Sequence, residues 1–238
     1  MFIGHFGAGL AAKSADARPS LGTFFIAAQF LDLLWPVLLL IGLERVEVDP
    51  GNTAITPLNF VSYPISHSLL ATVGWSVLFG LVYYAIRKRG KTALLLGGVV
   101  LSHWVLDFLV HRPDLPLAPF GGEKVGLGLW NDPVAAVIIE LLIFGAGIGL
   151  YVRSTRAANK IGVFAMWGLF AFLGLVYAMN LLGPPPPSAA PIPYMGLAMW
   201  LIVAWGYWVD RNRVAHIRAR QWHKGDDQKA HRDALAHR

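Results

Sequence analysis

The segment TALLLGGVVLSHWVLDFLVH, residues 92–111, determines the fold class that the sequence predicts. Its 20 residues are almost all apolar, and at about 1.5 Å per residue a helix of this length crosses the roughly 30 Å hydrocarbon core of a bilayer. The segment also carries His103, Asp107 and His111 at intervals of four residues. Because residues four apart lie on one side of a helix, the segment predicts a membrane span with a polar stripe.

Further apolar windows repeat this pattern along the 238-residue chain. We predict spans at approximately 24–43, 65–86, 92–111, 133–152, 161–182 and 192–209. Only 14% of the residues are charged, and the mean hydropathy is +0.52, whereas roughly 25% are charged in a typical soluble domain. The sequence therefore predicts an all-α, polytopic membrane helical bundle over residues 1–209, with a basic cytoplasmic tail over residues 210–238.

The first twelve residues form a shorter apolar segment. As a helix they would extend only about 18 Å, which is too short to span a bilayer. Lys13 and Arg18 follow the apolar stretch, and no basic residue precedes it, so the segment does not match a secretory signal. We expect it to be retained as an N-terminal half-helix buried among the other helices, with His5 near the middle of the membrane.

The basic residues are concentrated in alternate connections between the windows. Of the 20 Lys and Arg residues, 17 fall before the first window, between the second and third, between the fourth and fifth, or after the sixth. The first opposite loop instead carries Glu44, Glu47 and Asp49. This asymmetry predicts cytoplasmic N- and C-termini. The net charge of +6 thus indicates contact between the basic tail and anionic membrane lipid, and no nucleic-acid partner is expected.

Several ionisable side chains lie inside the predicted spans, where they are costly unless they are paired or face a polar interior. They come from four windows at comparable depth, between the midplane and the outer leaflet: Asp32, His67, His103, Asp107 and Glu140. Because the chain has no cysteine, a thiolate ligand and a cysteine nucleophile are excluded. Imidazole and carboxylate ligands suit zinc, and also manganese or iron. Pro36 is expected to kink the first window.

Each of these residues also has an explanation without a metal. Asp32 can form a hydrogen bond between helices, His67 can lie at the membrane interface, and a polar network can satisfy the third window. His111 and Asp114 can form an exposed loop pair. Taken together, the histidines and carboxylates of the first three windows favour a metal site, because an unpaired carboxylate within the bilayer is too costly.

Four short motifs also resemble a known family. They are Gly4-His5 in the apolar N-terminal segment, an aspartate before a proline in the first window, His-Ser-Leu-Leu at 67–70, and Leu101-Ser102-His103 followed by Asp107. Over about residues 1–120 the chain resembles the family of bacterial inner-membrane proteins described as metal-dependent hydrolases, one member of which is described as LexA-binding. The ligand order is more distantly similar to that of zinc-dependent phospholipases C. These resemblances imply an inner-membrane location and the metal ligands His5, Asp32, His67, His103 and Asp107.

The leading functional prediction is a membrane-embedded, metal-dependent hydrolase that cleaves an ester or phosphoester of a lipid-like substrate with metal-activated water. Glu140, His111 and Asp114 are the candidate catalytic acids or bases. Nearby serines can hold the imidazoles in place: Ser66, Ser68 and Ser102. The alternative is a proton- or cation-coupled transporter or channel subunit that uses the same Asp/His cluster. A non-catalytic scaffold would leave the intramembrane aspartates unexplained.

Overall fold

A computed structural model describes residues 1–216 of the chain. The helices are α1 (Ile3–Ala15), α2 (Leu21–Ala28), α3 (Phe30–Leu40), α4 (Pro64–His67), α5 (Leu69–Arg87), α6 (Gly90–Val110), α7 (Pro133–Ser154), α8 (Lys160–Leu182), α9 (Ile192–Leu197) and α10 (Met199–Arg211). The strands are β1 (Arg45–Val48), β2 (Leu58–Ser62), β3 (Leu115–Pro116), β4 (Lys124–Val125), β5 (Thr155–Ala157) and β6 (Arg213–Ala215). Most of the predicted basic tail lies outside the described residues.

Helices occupy all six apolar windows, and the predicted all-α membrane bundle is confirmed. Within residues 1–216, five helical segments are long and apolar enough to cross a membrane, namely α5, α6, α7, α8 and the combined α9 and α10. The first window is divided into α2 and α3, which bend by 58° relative to each other. This broken pair gives a sixth span if it crosses as one unit.

The break between α2 and α3 lies at Gln29, whose φ of −105° and ψ of 13° end the regular helix. The sequence pointed to Pro36 as a residue that can kink the helix; the break lies seven residues earlier, and α3 continues through this proline. The break has a consequence for the interior of the bundle. The carbonyl oxygen of Ala28 lies at the end of α2, where it accepts a hydrogen bond from His103 of α6.

The N-terminal half-helix α1 is buried inside the bundle, as the sequence predicted. It packs most extensively on α7, through two glycines that allow the backbones to approach closely. A Cβ atom on Gly147 would collide with the carbonyl oxygen of Gly7, and one on Gly7 would lie 2.7 Å from the carbonyl oxygen of Ile143. This close approach is the small-residue packing typical of membrane helices, and it brings His5 into the interior.

Helix α6 is the central element that carries the polar stripe. It packs against α1, α2 and α5, and it buries His103 and Asp107. Its antiparallel neighbour α5 is buried only on the side that faces α6, and Leu70, Val77 and Leu81 are more than half exposed. These apolar side chains suit contact with lipid.

Short antiparallel strand pairs close the two ends of the bundle. The pairs β1–β2 and β3–β4 follow α3 and α6, and therefore lie at the end that the charge pattern predicts to be external. At the other end β5 pairs with β6 and joins the ends of α7 and α10. Lys13 of α1 is buried at that end and forms an ion pair with Asp210 of α10 at 3.0 Å.

Candidate metal centre

The structure brings together the five side chains that the sequence pointed to as metal ligands. Potential ligand atoms of His5, His103 and Asp107 lie within 4.8 Å of one another. Those of Asp32, His67 and His103 satisfy the same limit. The two groups share His103, so they form one cluster between α1, α3, α4 and α6.

The Asp107 carboxylate lies at the centre of this cluster. Its Oδ1 is 3.1 Å from His5 Nε2, and its Oδ2 is 3.1 Å from His103 Nε2 and 3.9 Å from His67 Nε2. Asp32 approaches from α3, with Oδ1 3.4 Å from His67 Nε2 and Oδ2 3.7 Å from His103 Nε2. Three imidazole nitrogens and two carboxylates therefore point to the same small volume.

Hydrogen bonds at Nδ1 fix the orientation of two of the imidazoles. His103 Nδ1 lies 2.7 Å from the carbonyl oxygen of Ala28, which can only accept, so Nδ1 carries the hydrogen. His67 Nδ1 lies 2.6 Å from Ser66 Oγ, and that hydroxyl donates to Glu44 Oε2 at 2.6 Å. In the neutral rings, this network places the lone pair of each Nε2 towards the carboxylates.

This arrangement fits a cation. Lone pairs on nitrogen and negatively charged oxygens repel one another unless a positive ion or a proton lies between them. The buried Nε2 of His103 forms no hydrogen bond within the described residues, although carboxylate oxygens surround it. His5 stacks on His103 with ring centroids 3.7 Å apart. The donor set is the imidazole and carboxylate chemistry that zinc, manganese and iron accept.

Glu44 supports the cluster, although the sequence placed it among the acids of an external loop. Its side chain is buried, and its Oε1 accepts hydrogen bonds from the backbone N–H groups of Ile65 and Ser66, each at 2.8 Å. It thereby holds the first turn of α4 and, through Ser66, His67. The loop position of Glu44 gave no sign of this role, because the role depends on how α3 and α4 meet.

Of the three serines expected to hold imidazoles, only Ser66 contacts a cluster histidine within the described residues. The side chain of Ser68 accepts a hydrogen bond from the backbone N–H of Ala71 at the start of α5. Ser102 donates to the carbonyl oxygen of Val99 in its own helix. Both hydroxyl groups thus stabilise helices instead.

Glu140 of α7 lies beside the cluster and is almost fully buried. Its Oε2 accepts hydrogen bonds from the backbone N–H groups of Phe2 at 2.9 Å and Gly4 at 3.3 Å. A carboxylate in this position satisfies the free N–H groups at the start of α1. The α-amino group of Met1 is 2.6 Å from Asp107 Oδ1. Glu140 therefore anchors the residues that precede His5.

The exposed loop pair considered for His111 and Asp114 is wrong, because both side chains are buried. Asp114 Oδ1 lies 2.9 Å from His111 Nδ1 and accepts a hydrogen bond from the Tyr63 hydroxyl at 3.1 Å. Arg112 Nε donates to Asp114 Oδ2 at 3.2 Å. Burial raises the pKa of Asp114, but the hydrogen bonds from His111, Arg112 and Tyr63 outweigh it and hold that pKa below its ordinary value.

A cavity of about 810 Å³ connects these two groups of polar residues. Its lining includes the acidic and histidine side chains Asp32, His67, Asp107, His111 and Glu140. The ring of His111 also packs on Trp130, with centroids 4.4 Å apart. A molecule in the cavity would therefore meet the metal-ligand cluster and the His111–Asp114 pair together.

Comparison with known proteins gives one family. The model of a family described as YdjM inner membrane protein matches residues 3–183, which include all the candidate site residues. No curated protein and no solved structure gives a match, so the distant similarity to zinc-dependent phospholipases C has no support from these comparisons.

Proposed function

The chain belongs to the YdjM inner membrane protein family, and we propose that it is a membrane-embedded, metal-dependent hydrolase that cleaves an ester or phosphoester of a lipid-like substrate. The observation that carries this proposal is the convergence of His5, His67 and His103 with two aspartates in one small volume. The bundle interior holds these groups where lipid would exclude them, which is typical of a functional site.

The ligand roles follow from the hydrogen bonds around the cluster. The principal ion is held by Asp32, His67, His103 and Asp107. The Nδ1 atoms of His67 and His103 already donate hydrogen bonds, which leaves their Nε2 atoms to bind the ion. His5, across the Asp107 carboxylate, holds a second ion or contacts the substrate. Zinc suits this donor set, with manganese or iron as alternatives. Such an ion activates water at neutral pH and polarises the bond to be broken.

The His111–Asp114 pair supplies proton transfer. Asp114 accepts the hydrogen of His111 Nδ1, so the other ring nitrogen is available to the cavity. An imidazole held in this way can donate a proton to a leaving alcohol or take one from water. Glu140 is the second candidate for this role, because it lines the same cavity.

The test is metal analysis of the full chain, purified gently in detergent without a polyhistidine tag. We expect about one or two zinc, manganese or iron ions per chain, lost in His103→Ala and in Asp107→Ala. The matched control is His216→Ala, which removes an exposed histidine far along the chain. Absence of bound metal from the folded wild-type protein would refute the proposal. Esterase and phosphodiesterase assays on the metal-loaded protein then test the reaction.

The broken span supports a second candidate, a proton- or cation-coupled transporter. Discontinuous helices beside ionisable residues are typical of transporter binding sites, and the 58° bend at Gln29 lies three residues before Asp32. Flux measurements in proteoliposomes separate the two functions. Proton or cation flux that depends on Asp32, with no hydrolysis of any ester, would favour transport.

A further inference from the structure

The cavity beside the cluster has a lining of two kinds. Large apolar and aromatic side chains contribute much of it, among them Trp35, Phe60, Trp130, Tyr177 and Leu181. The ionisable side chains include three of the metal-ligand cluster, Asp32, His67 and Asp107. Small-molecule sites commonly have volumes of roughly 300–1,000 Å³ with apolar walls and a few polar groups that orient the ligand. The cavity, at about 810 Å³, has this organisation.

The charges around the cavity restrict the ligand further. No lysine or arginine is found among the described lining residues, whereas Asp32, Asp107 and Glu140 all line it. The α-amino group of Met1 is already paired with Asp107. A negative charge on a ligand would therefore have to lie at the Asp/His cluster, beside the proposed cation, because the described lining offers no lysine or arginine to balance it elsewhere.

Two proline-containing segments line the cavity, one from Pro184 to Pro186 between α8 and α9 and the other in the loop from Pro50 to Leu58 between β1 and β2. Proline fixes one backbone dihedral angle, which lowers the cost of ordering these positions when a ligand binds.

We propose that this cavity binds a single-chain amphiphile whose chain carries no charge. The apolar chain lies along the wall formed by Trp35, Phe60 and Tyr177, and the carbonyl or phosphoryl group lies at the Asp/His cluster. The volume suits one chain with its head better than a two-chain phospholipid. This inference deepens the proposed function, because it names the substrate class, but binding of the chain does not require that hydrolysis occurs.

The experiment is photolabelling of the full chain in phosphatidylcholine nanodiscs. The probe is dodecanamide with a diazirine in its chain, which is uncharged and has no ester to cleave. We expect saturable labelling of peptides that contain residues 53–60 and 177–183. Unlabelled dodecanamide should compete about ten-fold better than N,N-didodecylacetamide, an uncharged amide with two chains that is too large for the cavity.

A matched pair of variants locates the site. Ile55→Trp fills part of the cavity and should weaken labelling about ten-fold through steric conflict. Leu81→Trp makes the same kind of change on the exposed face of α5, and it should leave the labelling unchanged. The circular dichroism spectrum of each variant establishes that it is folded.

Two results would overturn the inference. One is labelling that does not saturate and is spread over lipid-facing helices, and the other is equal or stronger competition by the two-chain N,N-didodecylacetamide. Saturable labelling of the cavity in a protein that hydrolyses no ester would leave the inference intact and count against the hydrolase. Hydrolysis of short soluble esters without saturable labelling would support the hydrolase and count against binding of a single-chain amphiphile in the cavity.

Discussion

His103 Nδ1 donates a hydrogen bond of 2.7 Å to the carbonyl oxygen of Ala28, at the point where the first span breaks. The orientation of the His103 ring therefore depends on the break between α2 and α3. An unbroken helix would engage the Ala28 carbonyl in its own backbone ladder. The break and the candidate ligand are thus parts of the same structural arrangement.

We expect Glu44→Gln to weaken metal binding about 10- to 100-fold without unfolding the protein. The amide keeps the size of the carboxylate but is a weaker acceptor for the Ser66 hydroxyl and the two backbone N–H groups. Competition with a fluorescent zinc chelator measures the affinity. Glu47→Gln changes an exposed acid nearby and should have no effect. Equal affinities for the two variants would contradict the support role of Glu44.

Replacement of Gly147 by valine should separate α1 from α7. The added side chain collides with the Gly7 backbone, and overpacking of this kind costs about 1–3 kcal/mol. Because α1 carries His5, the bound metal should also decrease. Gly145→Val is the control, since no described atom lies within 4 Å of a Cβ atom built there. The readouts are thermal unfolding in detergent and metal content, and similar losses in both variants would argue against the specific crossing.

Substitution of Asp114 by asparagine should slow hydrolysis about 100-fold while the metal content is unchanged. The amide no longer supplies the negative charge that holds the His111 Nδ1 hydrogen. Steady-state kinetics should show the loss mainly in kcat, because the pair acts on protons and does not hold the substrate. Glu123→Gln, in the exposed turn nearby, serves as the control. A rate close to wild type would remove His111 and Asp114 from the proposed reaction.

Protonation of Asp16 in acid should destabilise the predicted cytoplasmic end of the bundle. Burial raises the pKa of this carboxyl, but hydrogen bonds donated by Arg18 and Thr92 outweigh that effect and lower the pKa from 3.8 to about 2. Since the folded-state value is the lower one, Asp16 stabilises the fold fully above pH 3.8, and this contribution disappears as the pH falls towards 2.

Asp16→Asn should therefore lower the unfolding temperature at pH 6 and flatten its dependence on pH below 4, as measured by calorimetry of the purified protein. Asp49→Asn, an exposed loop substitution, should keep the pH dependence of the wild type. An unchanged acid profile for Asp16→Asn would mean that other carboxylates dominate acid unfolding.

The candidate ligands could be predicted from the sequence because ionisable residues are rare within membrane-spanning segments. Asp32 and Asp107 interrupt long apolar windows, and the spacing of His103 and Asp107 places both on one side of a helix. Their convergence follows from the need to shield polar groups within the bilayer. The positions of the spans were predicted from hydropathy alone, and helices occupy each predicted window.

Other parts of the site depend on contacts that no local pattern contains. Glu44 looked like an ordinary loop acid, and its partners Ile65 and Ser66 lie more than twenty residues away. The Ala28 carbonyl is a backbone atom and has no signature in the sequence. An exposed loop position was considered for His111 because the sequence does not show that Phe60 of β2 packs on its ring.

The crossing of α1 and α7 also sets an order of events during synthesis. Gly7 meets Gly147, which the ribosome adds 140 residues later, and at about 5–20 residues per second this delay is roughly 7–28 s. Throughout that interval the nascent N-terminal segment lacks its principal neighbour, and Glu140 is not yet available to anchor it. All five candidate ligands are thus synthesised before the helix that supports His5, so a product truncated before α7 would contain the ligands without this support.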